Sequence, residues 1–331
     1  AEGTTGDGTP PLEEALPLEA VPVVLWEHQP TRASEMERVR ENRAYLPGEL
    51  LPPNLRITSD LGAAVAGREV VVVVTPSQRV REHARAIAPL LSPGAVVVCA
   101  SKGLELGTHL RLSQVIEREV PGGTAIAALS GPNLAKEIAR GLPAAAVVAS
   151  RDLEAAERAR VALGTPTFRV YTSEDVAGVE LGGALKNIIA LGVGISDGLG
   201  YGDNAKASFM TRALAEITRL ALAAGANPLT LAGLSGLGDL IATCSSPLSR
   251  NRMLGLELAQ GRSVQELLAG RKTVAEGVTT TRAALELAAE LGVELPITEQ
   301  IARVLFEGKE VRAAVAELMV RDPKRELEGF M

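Results

Sequence analysis

Short β-branched runs alternate with amphipathic helical segments in the first half of the chain, and this alternation constrains the fold more than any other feature. Continuous apolar runs, typical of strands buried on both faces of a parallel sheet, occupy 21–26, 69–74, 95–100, 124–129 and 144–149. Apolar residues at helical spacing lie between them, over 77–91, 110–120 and 134–140. This order predicts a doubly wound, Rossmann-like α/β sheet with short connections.

The pattern changes near residue 174. Helical spacing continues over 174–195, 204–223, 263–268, 279–291, 297–306 and 311–319, with glycines between the segments and no strong strand pattern. A length of 331 residues suits two domains. We therefore predict an α/β domain over residues 1–174 and an all-helical domain over 175–331.

Composition excludes several classes of protein. A net charge of -6 argues against a general nucleic-acid binder. Two cysteines, Cys99 and Cys244, provide neither a disulfide framework nor a metal cluster, and they fit a reducing cytoplasm. We find neither an apolar run of the ~18–20 residues that a membrane helix needs nor a secretory pattern at the N-terminus. The expected location is the cytoplasm, with no membrane span.

Two lysines are candidates for chemistry. Lys102 follows the strand at 95–100, and the carboxyl ends of strands border the ligand crevice of such sheets; a solvated loop lysine is an equal interpretation. Lys186 lies inside an apolar helix. A buried lysine is costly unless it is paired or functional, and burial lowers its pKa toward the range useful for acid–base work. A surface lysine with a buried stem is the competing interpretation.

Two further segments have the residue types that bind anions. Gly131 permits close backbone approach, and a helix that opens after the following proline offers free N–H groups, although an ordinary helix cap has the same pattern. Arg250 has a planar donor fork that matches phosphate. Neutral donors flank it at Ser249 and Asn251, and Asp239 could accept hydrogen bonds from hydroxyl groups.

Several blocks together resemble the signature sequences of one enzyme family, the bacterial NAD(P)-dependent sn-glycerol-3-phosphate dehydrogenases. They run in family order between residues 21 and 318. The blocks are SKGLE at 101–105, LSGP at 129–132, AKE at 135–137, GVELGGALKN at 178–187, SRNR at 249–252, VAEGV at 274–278 and PITE at 296–299.

The resemblance implies reversible hydride transfer between NAD or NADP and a phosphorylated substrate, giving sn-glycerol 3-phosphate from dihydroxyacetone phosphate for phospholipid synthesis. It implies Lys186 as the proton-transferring residue and makes a homodimer plausible. Implied substrate positions, with Arg250 at the phosphate, are Lys102, Gly131, Asn133, Lys186, Asp239, Ser249, Arg250 and Asn251. Implied cofactor positions are His28, Lys102, Ala135, Arg250, Val274 and Glu276.

The first 20 residues depart from the family pattern. The family opens with an apolar strand and Gly-x-Gly-x-x-Gly, whereas Gly3, Gly6 and Gly8 have another spacing and prolines follow them. The first strand and glycine-rich loop are therefore atypical or missing, and we hypothesise a shifted reading frame or an altered gene start. Asn133 replaces the family's small hydroxyl residue.

Three functional hypotheses follow: an active enzyme, a catalytically impaired relative that binds a phosphorylated metabolite, and a dehydrogenase for another hydroxy acid. The choice between NAD and NADP is open, since His28 and Arg32 could each meet a 2′-phosphate.

Overall fold

A computed structural model describes residues 22–269, 276–322 and 325. The strands are β1 (Val23–Trp26), β2 (Glu41–Asn42), β3 (Leu46–Leu50), β4 (Leu55–Thr58), β5 (Val70–Val73), β6 (Val96–Cys99), β7 (Ala125–Ser130), β8 (Ala144–Ala149) and β9 (Phe168–Ser173). The helices among them are α1 (Pro30–Val39), α2 (Leu61–Val65), α3 (Val80–Ile87), α4 (Leu112–Glu117), α5 (Ala135–Ala139) and α6 (Leu153–Leu163).

The second half of the described chain is helical, as predicted. Its helices are α7 (Val176–Gly198), α8 (Asp203–Ala223), α9 (Pro228–Leu231), α10 (Asp239–Ser245), α11 (Arg250–Ala259), α12 (Val264–Ala269), α13 (Glu276–Leu291), α14 (Pro296–Phe306) and α15 (Val311–Met319). A single π-helical turn, Leu234–Gly238, precedes α10. The predicted Rossmann-like fold with a helical C-terminal part is confirmed, and the boundary at residue 174 stays a prediction.

The main sheet has five strands in the order β5-β6-β7-β8-β9. All neighbouring pairs are parallel except β7 and β8, which are antiparallel. The apolar runs are typical of a parallel sheet, and the sheet departs from that pattern only at the pairing of β7 with β8. The connection from β7 to β8 contains only the five-residue α5, which packs against β3. It is not a long helical crossover of the kind that parallel neighbours require.

A second, parallel pair, β1 and β4, lies beside the main sheet. Among the described residues β1 and β5 do not pair with each other, although Val24 and Trp26 of β1 pack in the same apolar cluster as Val73 of β5 and Ala84 of α3. Residues 1–21, where the family's first strand is expected, lie outside the described residues. The prediction about that strand and its glycine loop therefore stays a prediction.

Several elements differ from their predicted extents for identifiable reasons. The segment 77–91 contains α3 flanked by two short 3-10 turns, and α3 ends at Ile87 because Pro89 lacks the N–H that a continuing helix needs. The sequence patterns do not predict β3, β4 or β9. In β9 polar and apolar residues are mixed and only Val170 is buried, so it lacks the continuous apolar run of a central strand.

Helix α7 is the centre of the helical part. Leu185, Ile188 and Ile189 on it are at most 1% exposed. It crosses α11 closely, since a Cβ placed on Gly194 would lie 1.9 Å from the backbone oxygen of Arg252. Within the described ranges α7 is the one helix with the length and apolar composition to cross a bilayer, and 83% of its most apolar window is buried inside the protein.

Candidate active site

Lys186 is buried in the middle of α7, so the interpretation as a surface lysine is wrong. It is only 7% exposed, and its Nζ donates to an Asp239 carboxylate oxygen and, over 2.6 Å, to Thr243 Oγ1. Asp239 and Thr243 both lie on α10, one turn apart, and the Thr243 hydroxyl is also 3.2 Å from Asp239 Oδ1. One helix therefore presents a carboxylate and a hydroxyl that fix the ammonium group of Lys186.

Lys102 reaches the same carboxylate from the other part of the fold. Its Nζ donates to Asp239 Oδ2 over 2.6 Å and to the Gly131 carbonyl oxygen over 2.9 Å. The two lysines therefore share Asp239, one on each oxygen. The Lys102 side chain is 21% exposed, against 8% for Lys186. A ligand can accordingly approach this cluster from the Lys102 side.

The surroundings of Lys186 set its proton affinity. Burial, and then the positive charge of Lys102, lower the pKa of Lys186 to about 8, while Asp239 acts in the opposite direction. A lysine with a pKa near 8 exists in both protonation states near neutral pH. It can therefore donate or accept a proton, as general acid–base catalysis requires.

Gly131 brings the β7 carboxyl end against the neighbouring strand. Its φ is +143°, and a Cβ there would lie 2.9 Å from the Ala145 oxygen and from Ala146 Cα. Only glycine fits this combination of conformation and contact. Beside it, Ser130 Oγ and Asn133 Oδ1 are buried and have no hydrogen-bond partner among the described residues. Buried polar atoms of this kind are available to a polar ligand.

The predicted phosphate segment forms the start of α11. Ser249 caps the helix, its Oγ accepting from the Arg252 amide over 3.3 Å, and Arg250 is the first helical residue and is exposed. Asn251 is buried, and its Oδ1 accepts from the Gly277 amide over 3.1 Å. The helix N-terminus and Arg250 therefore offer backbone and side-chain donors together.

The predicted cofactor residues are spread over several elements. Glu276 begins α13, and its carboxylate accepts from Ser77 N over 3.1 Å and from Ser77 Oγ over 2.5 Å, so it joins the two parts of the fold. Ala135 is exposed at the start of α5. His28 is exposed just after β1. Val274 lies outside the described residues.

Two residues of the region are not predicted by the sequence pattern. Thr243 contacts Lys186, but a threonine within an apolar helical stretch has no distinguishing signal. Glu27, next to His28, accepts from Arg32 Nη2 over 2.6 Å. An acidic residue directly after the strand predicted at 21–26 would have been the signal for Glu27, since such an acid binds ribose in dinucleotide folds.

The described residues fit a dinucleotide at its two ends. Near β7 the Ser130 and Asn133 side-chain oxygens, on either side of Gly131 in the chain, have no hydrogen-bond partner among the described residues. At the carboxyl end of β1, Glu27 has a carboxylate suited to ribose hydroxyls. Gly3, Gly6 and Gly8 lie outside the described residues. In the part of the chain that the structure describes, no group of three metal-ligating side chains is present.

Comparison with known sequences decides the family. The model of the NAD-dependent glycerol-3-phosphate dehydrogenase N-terminus matches residues 12–156, and the model of the C-terminus matches residues 175–316. The chain belongs to the NAD-dependent glycerol-3-phosphate dehydrogenase family. A glycerol-3-phosphate dehydrogenase (NAD(P)+) of Geobacter metallireducens is 49% identical over 95% of each chain, and one of Streptomyces coelicolor is 50% identical over 92% of this chain and 91% of the relative.

Solved structures agree with this assignment. Glycerol-3-phosphate dehydrogenase from Coxiella burnetii has a TM-score of 0.86 and 37% identity, covering 90% of this chain and 91% of that one. The yeast enzyme has a TM-score of 0.75 and 26% identity, covering 89% and 90%. The chain is therefore an NAD(P)-dependent oxidoreductase of this family, and the hypothesis of a catalytically impaired relative finds no support in these comparisons.

Proposed function

We propose that the chain interconverts dihydroxyacetone phosphate and sn-glycerol 3-phosphate with NAD(P)H, and that Lys186 transfers the proton. The observation that carries this proposal is the buried ammonium of Lys186, which shares one carboxylate with Lys102 and is also fixed by Thr243. The names of the family relatives support the substrate and cofactor.

The residues divide the chemistry between them. NAD(P)H, when bound, supplies the hydride. In reduction, protonated Lys186 gives its proton to the oxygen on the substrate's central carbon, and in oxidation neutral Lys186 takes that proton from the hydroxyl. Lys102 places a positive charge on the more open side of the Asp239 carboxylate. There it stabilises the substrate oxygen as that oxygen becomes negative. Asp239 and Thr243 orient the Lys186 amine.

The substrate phosphate is expected at the start of α11. This helix has ten residues and begins at Arg250, so its first amides and the Arg250 side chain lie together in the segment that the resemblance assigns to the substrate phosphate. An anion there is held by both the helix N-terminus and the guanidinium. A phosphate dianion accepts more hydrogen bonds than the carboxylate of a hydroxy acid, so these donors favour the phosphorylated polyol over the alternative substrates.

The test is NADH and NADPH oxidation at 340 nm with dihydroxyacetone phosphate, for the wild type and Lys186→Ala. We expect substrate-dependent oxidation that falls by about 10²–10⁴-fold in the variant. A substrate panel containing unphosphorylated dihydroxyacetone and short 2-keto acids is run in parallel. Turnover of a keto acid in preference to dihydroxyacetone phosphate, or full activity in Lys186→Ala, would contradict the proposal.

We also propose that the active unit is a cytoplasmic homodimer whose product supplies phospholipid synthesis. The resemblance to the family supports the dimer and the metabolic role, and the two buried free cysteines, Cys99 and Cys244, suit a reducing compartment. Light scattering on the purified chain should give twice the mass of 34.5 kDa. A monomer at assay concentration would contradict the dimer without affecting the proposed reaction.

A further inference from the structure

We propose that Glu27 makes this chain select NAD(H) over NADP(H), by binding the adenosine ribose hydroxyls and repelling a 2′-phosphate. The inference rests on the proposed function, because it deepens the description of the same cofactor site. The relatives are named for NAD(P)+, so their names leave the choice between NAD and NADP open. Glu27 would make that choice in this chain.

Glu27 is held rigidly at the carboxyl end of β1. Its backbone amide donates to the Thr58 carbonyl oxygen over 2.9 Å, which extends the β1–β4 pairing by one residue. Its side-chain Oε1 accepts from the Gln29 amide over 2.9 Å. The carboxylate is only 12% exposed. Backbone and side chain are thus both fixed at the position where dinucleotide folds bind the adenosine ribose.

The basic side chains near Glu27 contact its carboxylate. Arg32 Nη2 lies 2.6 Å and His28 Nδ1 lies 3.0 Å from Glu27 Oε1. The Arg32 guanidinium also stacks over the Tyr45 ring, 5.2 Å from its centroid, and its side chain is 18% exposed. Arg32, which could otherwise have received a 2′-phosphate, is therefore already engaged by a carboxylate and an aromatic ring.

Glu27 is ionised at neutral pH. Burial alone would raise its pKa, but the hydrogen bonds from Arg32 and Gln29, with the positive charge of Arg32, hold the pKa below its ordinary value. An ionised carboxylate accepts hydrogen bonds from both hydroxyls of a ribose. A phosphate dianion on the 2′ position has no proton to donate to the Glu27 carboxylate. The negative charges of the phosphate and the carboxylate would also repel each other in a partly buried site.

Cofactor binding can be measured directly because Trp26, the only tryptophan, precedes Glu27 and its ring lies 6.4 Å from that of His28. Quenching of Trp26 emission is titrated with NADH and with NADPH, and calorimetry provides the same constants independently. The variants are Glu27→Gln, which keeps the shape of the side chain, and Glu35→Gln. Glu35 is exposed on α1 with only a 3.5 Å ion pair to Arg43, so it controls for the change in net charge.

For the wild type and for Glu35→Gln we expect NADH to bind about tenfold or more tightly than NADPH. In Glu27→Gln the affinity for NADPH should rise by about tenfold, because Arg32 and His28 become available to the phosphate, and NADH should bind somewhat more weakly. Equal affinities in the wild type, or an unchanged preference in Glu27→Gln, would overturn the proposal that Glu27 selects the cofactor. The proposed function would not be affected by either result. Failure of the wild type to bind either cofactor would overturn the proposed function, and this inference with it.

Discussion

At the scale of single residues, one carboxylate organises the candidate site. Asp239 is 2% exposed and accepts from both Lys102 and Lys186. Without its charge two ammonium groups would face each other in a buried space, which is unfavourable. The position of the Lys186 ammonium group therefore depends on Asp239.

We predict that Asp239→Asn lowers kcat/KM for dihydroxyacetone phosphate reduction by about 10²-fold or more, because Lys186 loses both its orientation and its counter-charge. The measurement is the steady-state rate at 340 nm, with circular dichroism to confirm folding. Asp203→Asn, at an exposed residue at the start of α8, is the matched control. Equal rates in the two variants would show that Asp239 does not position the lysines.

The sequence predicts which residue types belong to the site better than it predicts their contacts. Lys186 stands out because a charged side chain interrupts an apolar helix, and Gly131 because it follows a strand. The contact between Lys102 and Asp239 joins positions 137 residues apart, which no local pattern reveals. Thr243 lacks a signal altogether, since a threonine in a helix is ordinary until its neighbour is known.

At the scale of elements, the crossing of α7 and α11 holds Lys186 and the phosphate segment in one rigid unit. Gly194 on α7 and Gly255 on α11 allow the two backbones to touch: a Cβ on Gly255 would lie 2.0 Å from the Leu191 oxygen. Larger residues at this crossing would force the helices apart. The resulting shift would also move Arg250 relative to Lys186.

We predict that Gly194→Ala lowers the free energy of unfolding by about 1–3 kcal/mol or more, because the added methyl group would overlap the Arg252 backbone oxygen. Urea denaturation measures the effect. Gly122→Ala is the control, since a Cβ there has open space around it and it lies in a loop. Similar midpoints for both variants would mean that the helices do not cross as closely as described.

Local patterns predict elements well where burial is uniform and poorly where it is mixed. The β-branched runs of β5 and β6 and the apolar α7 follow directly from the sequence. The strand β3 contains Pro47 and Gly48, which ordinarily disfavour a strand, and it is formed through pairing with β2. The antiparallel direction of β8 depends on how residues 131–143 return to the sheet, and hydrophobic periodicity contains no information about direction.

At the scale of the whole molecule, ion pairs and hydrogen bonds join the α/β part to the helical part around the site. Glu180 of α7 accepts from Arg111 Nη1 and Ser113 Oγ over 2.5 Å each, and from Ser113 N over 2.7 Å. The Arg111 and Glu180 side chains are 12% and 8% exposed. This contact ties the first turns of α7, the helix that also contains Lys186, to the α/β part of the chain.

We predict that Glu180→Ala destabilises the chain by about 3–5 kcal/mol, because it leaves the Arg111 charge buried without its partner. It should also reduce activity, since the two halves of the site lose their alignment. Glu157→Ala, which removes an exposed pair with Arg160 on α6, should change little. Thermal and urea unfolding of both variants check this, and an unchanged stability in Glu180→Ala would exclude a coupling role for the buried pair.

The central claim is that Lys186 moves the proton, and its pH dependence tests this most directly. Burial beside Lys102 lowers the pKa of Lys186 to about 8. Reduction needs the protonated lysine, so kcat/KM for dihydroxyacetone phosphate should fall as the pH rises through about 8. Oxidation needs the neutral lysine, so kcat/KM for sn-glycerol 3-phosphate should rise through the same pH.

The measurement is therefore the pH profile of kcat/KM in both directions, for the wild type and for Lys186→Met, which has a side chain of similar length without an ionisable group. We expect opposite inflections near pH 8 in the wild type, and a low residual rate without that inflection in the variant. Inflections that persist unchanged in Lys186→Met would assign the proton transfer to another group and contradict the account.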